Sequence, residues 1–251
     1  MRIAAISDIH GNLPALDAVL ADIARRGADI TVNCGDILSG PLWPAETADR
    51  LMALDLPTIA GNHERQLLRC AGRAGGPSDQ FAYEHTTPAQ QQWLASLPGT
   101  LVLEGDVYLC HGQPATDLMY LLETVEPAGS RAARTDEVAR RLAGSPGATA
   151  GLVLCGHSHL PRTTWLPAAD GGGTLCVNAG SVGLQAFDDD HVAPHAHVNG
   201  TPHARYVLCE RTTAGWSVAL MAVPYDWQAA SAKAMQEGAQ AWARWLATGQ
   251  A

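Results

Sequence analysis

Short apolar runs that stop abruptly on an acidic, amide or imidazole side chain are the feature that most restricts this chain. RIAAIS leads into Asp8-Ile9-His10, ITVNC into Gly35-Asp36 and PTIA into Gly61-Asn62-His63. VYLC then leads into His111-Gly112, and LVLC into Gly156-His157-Ser158-His159. Runs of this length and content read as buried strands. Helical patterns lie between the first of them. Asn12 can cap a helix whose apolar positions Leu13, Leu16, Val19, Leu20 and Ile23 recur at helical spacing. Pro14 fits its opening turn, and Gly27 after Arg25-Arg26 fits its end. Pro44 to Leu54 reads as the next helix. Strand alternating with helix predicts an α/β fold. In open α/β sheets, ligands bind at the carboxyl ends of strands, so groups distant in sequence can converge on one rim.

The rest of the chain is less regular. Residues 70 to 80 read as a polar, glycine-rich loop, and Thr87-Pro88 opens a short helix through Leu97. TLVLEGDVYLC reads as two strands around a Gly105-Asp106 turn. Residues 113 to 147 read as mixed loop and helix. Strands are expected around Thr163 to Leu166, Thr174 to Asn178, Ala204 to Glu210 and Trp216 to Val223. A closing helix near Trp227 to Leu246 would pack its Trp227, Trp242 and Trp245 face, and an exposed version of that face would suggest a homo-oligomer. No internal repeat or long linker appears, so residues 1–251 are expected to form one domain, with cap or lid segments near 70–98, 113–135 and 185–203. His191, His195, His197 and His203 lie in a polar stretch that reads as a mobile surface loop able to come over the site, not as a metal site.

Composition bounds the function. The 251 residues suffice for one large core. The formal net charge of −9 argues against sequence-independent nucleic-acid binding, which needs a basic surface. It leaves a nucleotide substrate open, because local metal charge can outweigh a global deficit. Met1-Arg2 precedes an apolar run too short for a signal-peptide core, and nothing later approaches a membrane span. The six cysteines form no CxxC pair and are expected as buried free thiols in a reducing cytoplasm.

The strand-end groups mix carboxylate, amide and imidazole. Such a set suits manganese, iron, nickel, cobalt or zinc better than calcium. Each piece alone is weak, since an Asp-x-His or a Gly-Asp turn is common. Five of them, each after a strand, point to one site.

Together the blocks DIH, GD, GNHE, HG and GHSH resemble the calcineurin-like metallophosphoesterases, whose pattern runs DxH, GD, GNH[DE], a lone histidine before glycine, and GHxH. The segment from Asn178 to Gly183 further resembles a loop of the small bacterial YfcE-like branch. The resemblance implies a four-layer α/β/β/α sandwich with two central mixed sheets. It implies that Asp8, His10 and His159 bind a first metal, that Asp36 bridges two metals, and that Asn62, His111 and His157 complete the second site. Two divalent transition-metal ions, most readily manganese, would then activate a bridging hydroxide for direct attack on phosphate. His63 would be the general acid. Two divalent ions outweigh two aspartates and one hydroxide, so the site would attract a phosphate anion despite the acidic chain.

One departure matters. In the protein Ser/Thr phosphatases the GD block continues into an Asp-Arg pair that holds phosphate, whereas here GDILSGP follows. Arg65 or Asn12 could contact phosphate instead. Glu64 could orient His63, pair with Arg65 or face solvent. The expected activity is hydrolysis of small nucleotide-like or other organic phosphates, as a phosphodiesterase or phosphatase. Phosphoproteins and dinucleoside polyphosphates are alternative substrates. A non-catalytic scaffold of the same fold is the alternative of another class, although such members tend to lose the histidine that this chain keeps at position 63.

Overall fold

The computed structural model describes residues 1–103, 106–169 and 171–251, so the expected turn at Gly105-Asp106 lies partly outside the described residues. The first half runs β1 (Arg2–Ile6), α1 (Leu13–Arg26), β2 (Ile30–Asn33), α2 (Pro44–Leu54), α3 (Asn62–Arg69), α4 (Pro77–Glu84), α5 (Pro88–Ser96), β3 (Thr100–Leu103) and β4 (Val107–Cys110). The second begins with β5 (Glu123–Glu126), β6 (Gly129–Ala132), α6 (Thr135–Leu142), β7 (Leu152–Cys155), β8 (Arg162–Pro167) and β9 (Gly173–Asn178). It ends with β10 (Ala186–Asp189), β11 (His195–Val198), β12 (Ala204–Thr212), β13 (Gly215–Val223), α7 (Trp227–Gln236) and α8 (Gln240–Thr248).

Two mixed sheets form the middle of a four-layer sandwich. One has the order β13-β12-β1-β2, with only β1 and β2 parallel. The other has the order β3-β4-β7-β9-β8, with β4, β7 and β9 parallel. Side chains alternate between two cores, as the pleat requires. Ile3 and Ala5 of β1, Val207 and Cys209 of β12, and Leu152 and Leu154 of β7 fill the layer between the sheets. Ala4 and Ile6 pack instead with Leu16, Val19 and Ile23 of α1, while Val153 and Cys155 pack with Val138 and Leu142 of α6. All six cysteines are buried and unpaired.

Local chemistry sets the helix starts. Asn12 Oδ1 accepts from the Ala15 N–H, and Thr87 Oγ1 accepts from the Gln90 N–H while Gln90 Oε1 accepts from the Thr87 N–H. Four expectations are corrected. PTIA is extended but pairs only through a single Asn33–Thr58 bridge, because Pro57 has no N–H to give a ladder. The 70–80 segment turns helical at Pro77, where proline at the first helical position and Asp79 in the first turn favour a start. The closing helix breaks into α7 and α8 at Gly238, whose φ is +77°. The histidine-rich loop is a ribbon, with β10 antiparallel to β11 and with His195 and His197 buried.

Candidate active site

The loops after β1, β2, β4 and β7 meet at one rim and are tied together through backbone bonds. The Asp8 N–H donates to Gly35 O, and the Ile9 and His10 N–H groups donate to Asp36 O. Seven non-glycine residues have positive φ among the described residues, and five of them are Asp8, His10, Asp36, His157 and His159. This left-handed conformation costs a side-chain-bearing residue on the order of 1 kcal/mol or more, and such strain gathers at functional sites. Here it turns five polar side chains toward one point. Glycine at position 61 is needed for the same closeness, since a Cβ there would lie 2.2 Å from Asp36 Oδ1.

The imidazoles are oriented from behind. His10 Nδ1 donates to Ser39 O at 2.7 Å, His111 Nδ1 to Cys34 O at 2.8 Å, and His159 Nδ1 to Leu184 O at 2.7 Å. A carbonyl can only accept, so each Nδ1 carries a proton and each ring turns its Nε2 forward into the site. The His10 and His159 Nε2 atoms then face each other at 3.1 Å. His111 Nε2 lies 3.0 Å from Asp36 Oδ2, yet the two are not aligned as a hydrogen bond, and this buried nitrogen has no such partner. Asp8 Oδ1 lies 3.4 Å from His159 Nε2 and 4.0 Å from His111 Nε2, and the His157 N–H holds its carboxylate at 3.1–3.2 Å.

Two groups of converging ligand atoms result: Asp8, His10 and His159 in one, Asp36, His111 and His157 in the other. Asn62 sits at the start of α3, donates from Nδ2 to Gln66 Oε1, and keeps a buried Oδ1 with no partner. Protonation reflects the crowding. Burial and the neighbouring His159 push His10 down to about 3, and burial and His111 push His157 down to about 4. Burial acts on His111 in the same direction, but Asp36 and Asp8 outweigh it and hold that ring up at about 10.

His63 stands beside these groups. Its ring centroid is 5.5 Å from that of His10, and its backbone N–H donates to Asp36 Oδ1 at 3.0 Å. Its Nδ1 bonds Asp79 Oδ1 at 2.8 Å. Burial alone would lower its pKa, but Asp36, the Asp79 bond and Glu64 raise it to about 9. Asp79 falls in the segment expected as a loop, and Pro77 with the acidic first turn is the helix signal that presents it. Glu64 does something else. Its carboxylate accepts the Asp36, Ile37 and Gly61 N–H groups, clamping the Asp36 loop to the start of α3.

Neither residue expected to touch phosphate reaches the cleft. Asn12 is buried, its Oδ1 used as a helix cap and its Nδ2 donated to Gly183 O and Tyr225 Oη. Arg65 forms a forked ion pair with Asp117 in a separate groove. Asn178 and Ser181 hold turns, as their residue types predict, and also brace the site. Asn178 Nδ2 donates to Gly156 O, and Ser181 Oγ donates to Asp8 O. His197 bonds Ser158 O through Nδ1 and Ser130 Oγ through Nε2, while His195 Nε2 pairs with Tyr120 Oη. Both rings are therefore used up in holding the ribbon, His197 against the His157–His159 loop and His195 against Tyr120.

The sequence pattern that describes the calcineurin-like phosphoesterases matches residues 1–161, well over half of the chain. The chain belongs to that calcineurin-like phosphoesterase family. Its structure is similar to that of a metallophosphoesterase from Sphaerobacter thermophilus, with a TM-score of 0.74 and 26% identity over 99% of this chain and 100% of that one. An uncharacterised protein of Methanocaldococcus jannaschii is 42% identical over 66 residues, a match spanning 26% of this chain and only 27% of that relative. The family pattern thus ends before β8. A cleft of about 340 Å³ in front of the two ligand groups is lined partly from beyond it, by Leu184, Phe187, Asp188, Asp189, His191, Trp242 and Trp245.

The His63–Asp79 contact makes a prediction for this phosphoesterase. Were His63 the general acid, as the resemblance implies, it would have to be protonated, and turnover should fall as pH rises through its pKa. Asp79→Asn removes a charge that raises that pKa. It should move the alkaline limb of the pH–rate profile to lower pH and reduce kcat by about 10–100-fold, with metal content unchanged. An unmoved limb would show that Asp79 does not position the acid.

Proposed function

We propose that the chain hydrolyses phosphate esters using two divalent transition-metal ions held at the converged rim. The observation that carries this reading is the 3.1 Å approach of the His10 and His159 Nε2 atoms. Both rings already donate backwards from Nδ1, so their forward nitrogens meet at that distance through a shared cation, a proton or a metal ion. The unpartnered Asn62 Oδ1 and His111 Nε2 fit the same explanation, because buried polar atoms otherwise find partners. Asp8, His10 and His159 would hold one ion, Asn62, His111 and His157 the other, with Asp36 shared. The mixed oxygen and nitrogen donors suit manganese first, with iron, nickel, cobalt or zinc as substitutes. When bound, such a pair supplies an activated water and neutralises phosphate charge.

The chain's own residues do the rest. Asp79 holds His63 by Nδ1, leaving Nε2 to carry a proton to a departing alkoxide. Glu64 fixes the Asp36 loop, and the three Nδ1–carbonyl bonds fix the histidines, so little reorganisation is needed during reaction. Small organic phosphates, nucleotide-like ones among them, fit a cleft of this volume, as mono- or diesters. No lysine or arginine lines it, which weighs against phosphoproteins and dinucleoside polyphosphates, whose extra charges would meet no cation. Segments 70–98, 113–135 and 185–203 each contribute lining residues and would act as caps on a single domain. Among the described residues no helix is long and apolar enough to cross a membrane, and the unpaired thiols suit residence in a reducing cytoplasm.

The test is turnover of a chromogenic phosphodiester and the matching monoester by metal-stripped protein, with and without added manganese. Activity restored by metal is the expected result. Silence in protein shown to hold two metals would turn the reading toward a scaffold.

A further inference from the structure

The cleft has an aromatic wall that no metal ligand requires. We propose that Trp242 is the specificity-determining residue of this cleft, stacking on a planar aromatic group joined to a single phosphate ester. The proposal rests on the hydrolase reading and names the substrate class of that same site.

Position is the first argument. The Trp242 ring centroid lies 5.8 Å from that of His10, edge-on at 75°, and the His63 ring lies 5.5 Å from the same imidazole. Both rings flank His10 and line one cleft, so an organic group departing toward His63 leaves into space that the indole borders. Rigidity is the second. Ala243, Trp245 and Leu246 bury α8 against Leu184 and Ala186, and the Trp245 ring packs 6.3 Å from that of Trp242. On its other side the indole rests on Gly40, where a Cβ would stand 3.0 Å from indole Cη2 and Cζ3. A ring fixed in this way gives up little freedom on binding. Trp242 nonetheless remains only half-buried and lines the cleft.

Charge is the third argument. The lining carries no cationic side chain besides its histidines, while Asp188 is exposed at the same mouth and Asp189 stands next to it. A second phosphate on the organic part would meet carboxylates. An uncharged planar ring meets a π-face instead, and stacking on aromatic side chains is the general way proteins hold bases without reading their edges.

Adenosine 5′-phosphate and ribose 5-phosphate test this directly, since both are primary alkyl esters with matched leaving groups and differ in the ring. The wild type should prefer the adenosine ester. In W242A the adenosine-to-ribose ratio of kcat/KM should fall about tenfold or more, chiefly through KM, and W242F should keep most of it. A merely structural role would lower both esters together and leave the ratio unchanged, which overturns the proposal. Calorimetry of metal-loaded protein with the two methylenephosphonate analogues, which water cannot cleave, needs no turnover. Preferred binding of the adenosine analogue, lost in W242A, without hydrolysis of either ester would fault the hydrolase reading and sustain Trp242. Equal binding of both analogues by the wild type would overturn the role of Trp242, whatever the rate of hydrolysis.

Discussion

Asp36→Asn should weaken both metal positions together, by more than about 100-fold each, because even partners one shell further out cost 10–100-fold. Asp36 lies at the middle of the rim. Its Oδ2 is 3.0 Å from His111 Nε2, its Oδ1 accepts from the His63 N–H, and its charge also acts on His10. Burial would raise its pKa, but those three imidazoles hold the carboxyl well below the usual range. Asparagine tolerates the left-handed backbone at φ 55°, so the loop should survive the change while the charge does not. Equilibrium dialysis against manganese reads the result, with circular dichroism confirming the fold. If one equivalent stayed bound as in the wild type, the shared carboxylate would have to be Asp8, whose Oδ1 already lies within reach of both His159 and His111.

His63→Ala should leave two metals bound and lower turnover by about 10²–10⁴-fold, the usual contribution of a positioned acid. The loss should be greatest for alkyl esters, whose leaving groups need the proton, and smallest for activated aryl esters. Comparing a sugar phosphate with a nitrophenyl ester in the same metal-loaded variant measures that difference. Undiminished turnover of the alkyl ester would remove His63 from the acid role. Because His63 also touches Asp79 and the Asp36 loop, metal stoichiometry must be read on the same sample.

Much of this was legible because strand, turn and ligand are neighbours in sequence. An apolar run ending on Asp8 or His111 states both the element and the group it presents. What escaped was set by contacts across the fold. Asp79 finds His63 from another helix, and Glu64 reaches back to three amides instead of to its neighbour Arg65. The ribbon β10–β11 reverses the ordinary alternation. His195 and His197 point inward while Val198 is 43% exposed, so a pattern reader looking for apolar residues inside sees only a polar loop. Those imidazoles tolerate burial because Tyr120, Ser130 and two carbonyls satisfy them, and of these partners only Ala193 is near in sequence.

The contacts joining the two sheets differ from one end to the other. In the interior they are apolar and without direction, formed by side chains such as Ile3, Val177 and Leu154. At the rim they are directional: His111 Nδ1 reaches Cys34 O, the His157 N–H reaches the Asp8 carboxylate, and Ser181 Oγ reaches Asp8 O. Close-packed apolar layers set the distance between the sheets, whereas hydrogen bonds hold a heading. The rim is therefore a clasp that sets how one sheet is turned against the other, and each ligand group draws side chains from both halves of it. A methyl group added or removed deep in the apolar layer would thus reach the surface as a change in the spacing between those halves.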